Sequence, residues 1–184
     1  MSKSNLDSSF KKMYKADNYQ MIFIEAENFN KISKIILDKI KFPDIITSNE
    51  VRQDIAESIG FQYASHVNQA FAFELYIKCI MIIENGEYCY GHDPVELFSQ
   101  LNIATQVRIE LIHSLANKQM RRHPLYHGFM EETSFVQLLE EAGNPFMDYR
   151  YLFSKSNLKP YSLDKIIETL RTEILRLKPD IYKY

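Results

Sequence analysis

Between Ala70 and Ile83 the chain reads AFAFELYIKCIMII, an apolar run broken only by Glu74 and Lys78. Those two charges stand four residues apart, which places them on one stripe of a helix whose other faces are apolar. Such a helix is stable in water only when other helices surround it, so the pattern predicts the central helix of an all-α domain. A bilayer span needs about 20 apolar residues without charges at its middle. This run is shorter and charged, and a membrane partner is not expected.

Helical periodicity recurs on both sides of the run. A first helix is predicted from Asp17 to Ile40, with Phe29, Ile32, Ile36 and Ile40 spaced along one face, ending before Lys41-Phe42-Pro43. Thr47 with Glu50 forms a capping-box pattern that opens a long helix reaching Glu84, bent at Gly60. Glu84-Asn85-Gly86 ends it. Asp93 as N-cap, Pro94 at the first helical position and Glu96 in the first turn start a short helix through Leu101. Further helices are predicted for Thr105–Met120, closed by His123-Pro124, then for Glu132–Glu141, Asn144–Phe153 and Asp164–Leu177, the last with Ser162 as its cap. No stretch alternates with period two, so no sheet is expected. The expectation is a tail over 1–14 and one domain over 15–184.

Composition narrows the class. The chain has 184 residues, enough for one domain with a substantial core, and its 46% apolar content fits a globular protein. Lys and Arg number 22 against 24 Asp and Glu, a net charge of −2, so binding to nucleic acid must rest on a local patch. The two cysteines, Cys79 and Cys89, form no CxxC spacing and are expected as free thiols. The first residues, MSKSNLDSSFKK, lack the apolar core of a signal peptide, which points to the cytoplasm.

Glu-Leu-Tyr-Ile-Lys (Glu74 to Lys78), a short turn, and Gly91-His92-Asp93 leading into Val95-Glu96-Leu97-Phe98 together resemble the HEPN superfamily of helical domains. The segment FMDYRYLF from Phe146 to Phe153 resembles the Arg-Tyr segment that some HEPN-like proteins carry before their last helix. The resemblance covers the chain from about Ala70 onward. It implies a HEPN-like bundle of six or seven helices and a bacterial-type protein that binds RNA or a nucleotide. It also implies a metal-independent endoribonuclease of a defence or toxin system, as in toxin–antitoxin and phage-defence modules, working without a cofactor. Pairing into a homodimer is implied too. The competing expectation is a catalytically silent helical module that dimerises or docks onto a protein partner.

HEPN ribonucleases use an Arg-x4-6-His motif. Cleavage of RNA by its own 2′-hydroxyl needs a proton-transfer group near neutral pH, which His supplies, and a fixed cation on the phosphate, which Arg supplies. The chain holds Arg108-x4-His113, Arg122-x4-His127 and Arg121-x5-His127. The first pair falls within a predicted helix, where a five-residue offset sets the side chains about 140° apart. The resemblance therefore puts the catalytic pair at Arg122 and His127, in the stretch RRHPLYHGF, where Pro124 and Gly128 make a loop or a helix start.

That stretch is also the chain's local basic cluster. Lys118, Arg121, Arg122, His123 and His127 interleave with Tyr126 and Phe129, a mixture suited to phosphate contact and base stacking. The plainer reading is a solvated connection between helices. A metal reading, with His123, His127 and Glu131 recurring every four residues, lacks a fourth ligand, and no metal is expected. Glu74, Lys78, His92, Asp93 and Arg150 form either a polar pocket or a structural cluster. Buried charges need partners, and Asp93 and Arg150 are the candidates for Glu74 and Lys78. The last helix, with Leu163, Ile166, Ile167, Leu170, Ile174 and Leu177, carries more apolar positions than a solvent-facing helix needs, and is the expected dimer surface.

Overall fold

The structure is a computed structural model that describes residues 13–15, 18–40, 49–121, 133–143 and 163–182, with side chains from Ala56 in the second helix and up to Lys118 and Gln119 in the fourth. It is mostly helical. A short strand β1 (Met13–Lys15) is followed by α1 (Tyr19–Leu37), α2 (Asn49–Asn85), β2 (Glu87–Cys89), α3 (Pro94–Ser99), α4 (Ile103–Arg121), α5 (Phe135–Ala142) and α6 (Asp164–Leu177). The two strands pair antiparallel, with Met13 opposite Cys89 and Lys15 opposite Glu87. Three residues are too few for a period-two pattern to register, so the sheet was invisible in the sequence. β1 also begins inside the stretch expected as tail.

The predicted central helix is central. Along α2, Ala70, Ala72, Phe73, Tyr76, Ile77, Cys79, Ile80, Met81 and Ile82 are buried, and α1, α3, α6 and β2 pack against it. The helix runs unbroken through Gly60 and stops at Asn85; Gly86 adopts a positive φ of 74°, and its N–H donates to the Ile82 carbonyl at 2.9 Å. Thr47 of the expected capping box lies outside the described residues.

Local signals account for most boundaries. The Asn18 side chain accepts from the Met21 N–H to start α1, and Asp93 accepts from the Glu96 N–H with Pro94 at the first turn of α3. Ser134 and Gln137 close a reciprocal capping box on α5. α6 departs from expectation at its start: Leu163 is the N-cap and has no side-chain acceptor, its backbone N–H instead reaching Gln69 Oε1 on α2 at 3.4 Å.

The buried face of α1 is not the stripe of Phe29, Ile32, Ile36 and Ile40. Phe23, Ala26, Asn30 and Ser33 are buried, whereas Ile32 is exposed and Phe29 is only half-buried, stacked on Phe71. Small and polar residues sit at this seam because α1 lies close along α2. The Ser33 hydroxyl donates to the Asn30 carbonyl at 2.8 Å, and Ser65 on α2 donates to the Ser33 carbonyl at 3.1 Å.

α6 lies against both α2 and α4. Leu163, Ile166, Ile167, Leu170 and Ile174 are buried in the protomer's own core, so they cannot be the dimer surface expected from their number. Among the described residues no helix is long and apolar enough to cross a membrane.

Candidate functional site

Of the sequence-derived candidates, Glu74, Lys78, His92 and Asp93 are described and brought close together. Lys78 Nζ donates to Glu74 Oε1 at 2.5 Å, and His92 Nδ1 donates to Glu74 Oε2 at 2.7 Å. A carboxylate only accepts here, so the ring proton of His92 sits on Nδ1. Lys78 and Glu74 are nearly buried, and the ammonium lies 5.4 Å from the centre of the Tyr88 ring. The partner of the α2 charges is thus His92, not Asp93, whose carboxylate caps α3. Arg150, the other candidate, lies outside the described residues. The cluster ties the turn before α3 to the central helix, and a buried pair completed by a third polar group holds geometry more than it adds stability.

The Arg108–His113 match separates as the helical offset predicts. Arg108 turns to α6, where its Nε donates to the fully buried Glu173 at 2.9 Å, and Arg176 donates to both oxygens of the same carboxylate. Burial alone would raise the pKa of Glu173. The hydrogen bonds from Arg176 and Arg108 outweigh it and hold the carboxyl below its ordinary value. Arg108 also donates to the Thr105 hydroxyl, which in turn donates to Glu84 of α2. The guanidinium of the match set aside on helical geometry is a strut joining α4 to α6.

His113 faces the other way, toward α5. Its Nε2 lies 3.1 Å from the Thr133 carbonyl oxygen and 2.8 Å from the Asn117 side-chain amide, and its ring meets Phe135 edge-on. Burial lowers its pKa below the ordinary 6.5, so the ring is neutral near pH 7. Beside it opens a cleft of about 420 Å³ lined by Glu110, Leu111, Ser114, Asn117, Thr133 and Gln137. That volume suits a small ligand. One oxygen of Glu110 accepts from the Phe135 N–H at 2.9 Å and the other from the Val136 N–H at 3.1 Å, so this carboxylate fills the N-terminus of α5.

The cleft stands at the two ends of the basic stretch. Asn117 and exposed Lys118 are in the last turns of α4, and Thr133 and Ser134 begin α5. Arg122, His123, Tyr126 and His127, together with the side chain of Arg121, lie outside the described residues, as does the His123–His127–Glu131 set. Among the described residues no group of three or more His, Cys, Asp or Glu is placed to hold a metal. Sequence reading missed Glu110, Asn117 and Thr133 as lining residues. The sequence carries one signal that could have found the far wall, the Ser134–Gln137 capping box, which starts α5 at Phe135 and not at the expected Glu132.

A second polar network joins α1, α2 and α6. Glu27 of α1 accepts from the Tyr76 hydroxyl at 2.5 Å, from Arg171 Nε at 2.7 Å and from the Tyr182 hydroxyl at 2.7 Å. Burial would raise this carboxyl; the three donors together hold it below its ordinary value. The arrangement clamps α1, α2, α6 and the C-terminal turn. Cys79 and Cys89 are both buried thiols, and burial pushes the Cys79 thiol up to about 12, leaving it unreactive.

No family model, no curated protein and no solved structure matches the chain.

Proposed function

We propose that the chain is a HEPN-like protein that binds RNA or a nucleotide through the basic stretch Lys118–Phe129 and the cleft between α4 and α5. The cleft between α4 and α5 carries this reading. Most of its lining residues carry polar groups, it has the volume of a small-ligand site, and its lining residues flank the basic stretch in sequence. Arg121, Arg122 and His123 supply phosphate contacts, Tyr126 a stacking ring, and Asn117 and Gln137 hydrogen-bonding groups that read a base or ribose. Metal-independent cleavage by Arg122 and His127, in the cytoplasm and as part of a defence or toxin system, is the chemistry those residue types permit.

The test is binding and cleavage of single-stranded RNA in EDTA by the full chain. Replacing Arg121 and Arg122 together by Ala weakens a salt-sensitive association, and His127→Ala abolishes cleavage while binding persists. Neither binding nor cleavage across varied RNAs and nucleotides would leave the second reading, a catalytically silent interaction module. One observation favours that second reading specifically: the outward face of α4 is apolar along most of its length.

A further inference from the structure

The first backbone N–H groups of a helix have no intrahelical partner, and a phosphate that binds a helix start binds there. At the start of α5 the protein fills these positions itself. The Ser134 N–H donates to Gln137 Oε1 at 2.8 Å, and the Gln137 N–H donates to Ser134 Oγ at 3.1 Å. The Phe135 and Val136 N–H groups between them donate to the two oxygens of Glu110 on α4, at 2.9 and 3.1 Å. Glu110 is also a wall of the adjoining cleft. Among the described residues no Lys or Arg lines that cleft, and His113 is held neutral by burial. A phosphate entering it would meet a carboxylate, no cation and no unused amide.

What the cleft offers is a carboxylate acceptor beside neutral hydrogen-bonding groups. The α5 amides use two of the four lone-pair positions of Glu110, so it can still accept from a ligand. Gln137 uses its carbonyl oxygen on the Ser134 N–H, which leaves its NH2 group to donate. Leu111, exposed and also lining the cleft, gives a flat ring an apolar side. We infer that the cleft takes the base of a nucleotide and turns away its phosphate, with Glu110 selecting bases that carry an exocyclic amino group. On cytosine or adenine the amino group donates to Glu110 while the neighbouring ring nitrogen accepts from Gln137. On uracil the single ring N–H lies between two carbonyl oxygens, whose lone pairs face those of the carboxylate. The phosphates stay outside, where exposed Lys118, next to Asn117, begins the basic stretch.

This selection rests on the proposed binding of RNA or a nucleotide, and one titration separates the two. The full chain is titrated with cytidine, uridine and inorganic phosphate, and with single-stranded oligocytidylate and oligouridylate, while proton–nitrogen correlation spectra follow the side-chain amides of Asn117 and Gln137. Cytidine should shift both signals and bind at least about fivefold more tightly than uridine, less than a whole hydrogen bond to a charged group because the uracil N–H keeps part of it. Inorganic phosphate should leave both signals in place. Glu110→Gln should bring the two nucleosides to equal affinity. That change also sets an NH2 group against one α5 amide, so Ser114→Leu serves as a second variant, filling the cleft without touching the cap of α5. With helical circular dichroism unchanged, it should abolish nucleoside binding. Equal affinity of the wild type for cytidine and uridine, movement of the two amides by phosphate, or nucleoside binding that survives Ser114→Leu would overturn the selection of a base by this cleft. A preference that persists in folded Glu110→Gln would overturn the role of Glu110. Oligonucleotides that bind while neither nucleoside does would overturn the base site and leave the proposed function standing; no binding of any probe would remove both.

Discussion

α4 and α6 are neighbours of similar helical character, and they divide their apolar residues in opposite ways. α6 follows the ordinary rule: Ile166, Ile167, Leu170 and Ile174 are in the core and Glu168, Thr172 and Arg176 face solvent. α4 turns Thr105, His113 and Asn117 inward and shows Ile103, Val107, Leu111 and Leu115 to solvent. A count of apolar positions cannot separate the two cases. Only the identity of the neighbours does, and here the neighbours of α4 offer Glu84, the Thr133 carbonyl and the N-terminal amides of α5 as partners for its polar side.

The comparison breaks first at α6. Leu170→Ala removes a fully buried side chain and should cost about 2–5 kcal/mol, read by chemical denaturation. A loss below about 0.5 kcal/mol, the ordinary range of a surface substitution, would mean that α6 does not form the core. The link between the two helices is weaker. Arg108→Met removes one donor from the fully buried Glu173 while Arg176 keeps two hydrogen bonds to it, so the cost should fall to about 1–3 kcal/mol. Making Arg176→Met as well should then cost more than the two single changes added, because the carboxylate is left buried without a cation.

The polar inner side of α4 has a signature in pH. His113 has its pKa depressed by burial, so the unfolded chain binds the proton more readily. Its share of stability is complete above the ordinary 6.5 and declines as pH falls from there toward the folded value. His66 is depressed for the same reason and adds to the slope. His113→Gln should flatten the decline without removing it, measured as unfolding midpoints from neutral to mildly acidic pH. An unchanged slope would place His113 in solvent.

The fold was legible where local chemistry decides it. The charged pair within an apolar run located α2, and Asp93-Pro94 marked the start of α3 through a cap that the structure contains. Helix α6 was located nearly to the residue. Facing was less legible, because a periodic pattern gives a stripe and not its direction. Thus the apolar stripe of α1 includes Ile32, which is exposed, and the α6 stripe was assigned outward and is core. The site was legible only in part. Glu74 and Lys78 were recognised as needing a partner, but His92 comes from a turn whose path no periodicity encodes. The cleft joins α4 to the start of α5, twenty residues apart in the His113–Thr133 contact, and no local motif reports such a meeting.

The smallest expected effect belongs to the exposed apolar face of α4. Val107→Ser should change the stability of the chain by no more than about 0.5 kcal/mol, as for other surface positions. A larger loss in dilute solution would show that Val107 is covered by its own chain.

The contrast between the two helices is tested most directly by thiol labelling at matched positions, comparing Val107→Cys with Leu170→Cys while the native Cys79 and Cys89 remain buried. In dilute protein the thiol at position 107 should react at the rate of a free thiol. The thiol at position 170 should react only as fast as the protein unfolds. Fast labelling at 170, or slow labelling at 107, would contradict the assignment of one face to the core and the other to solvent.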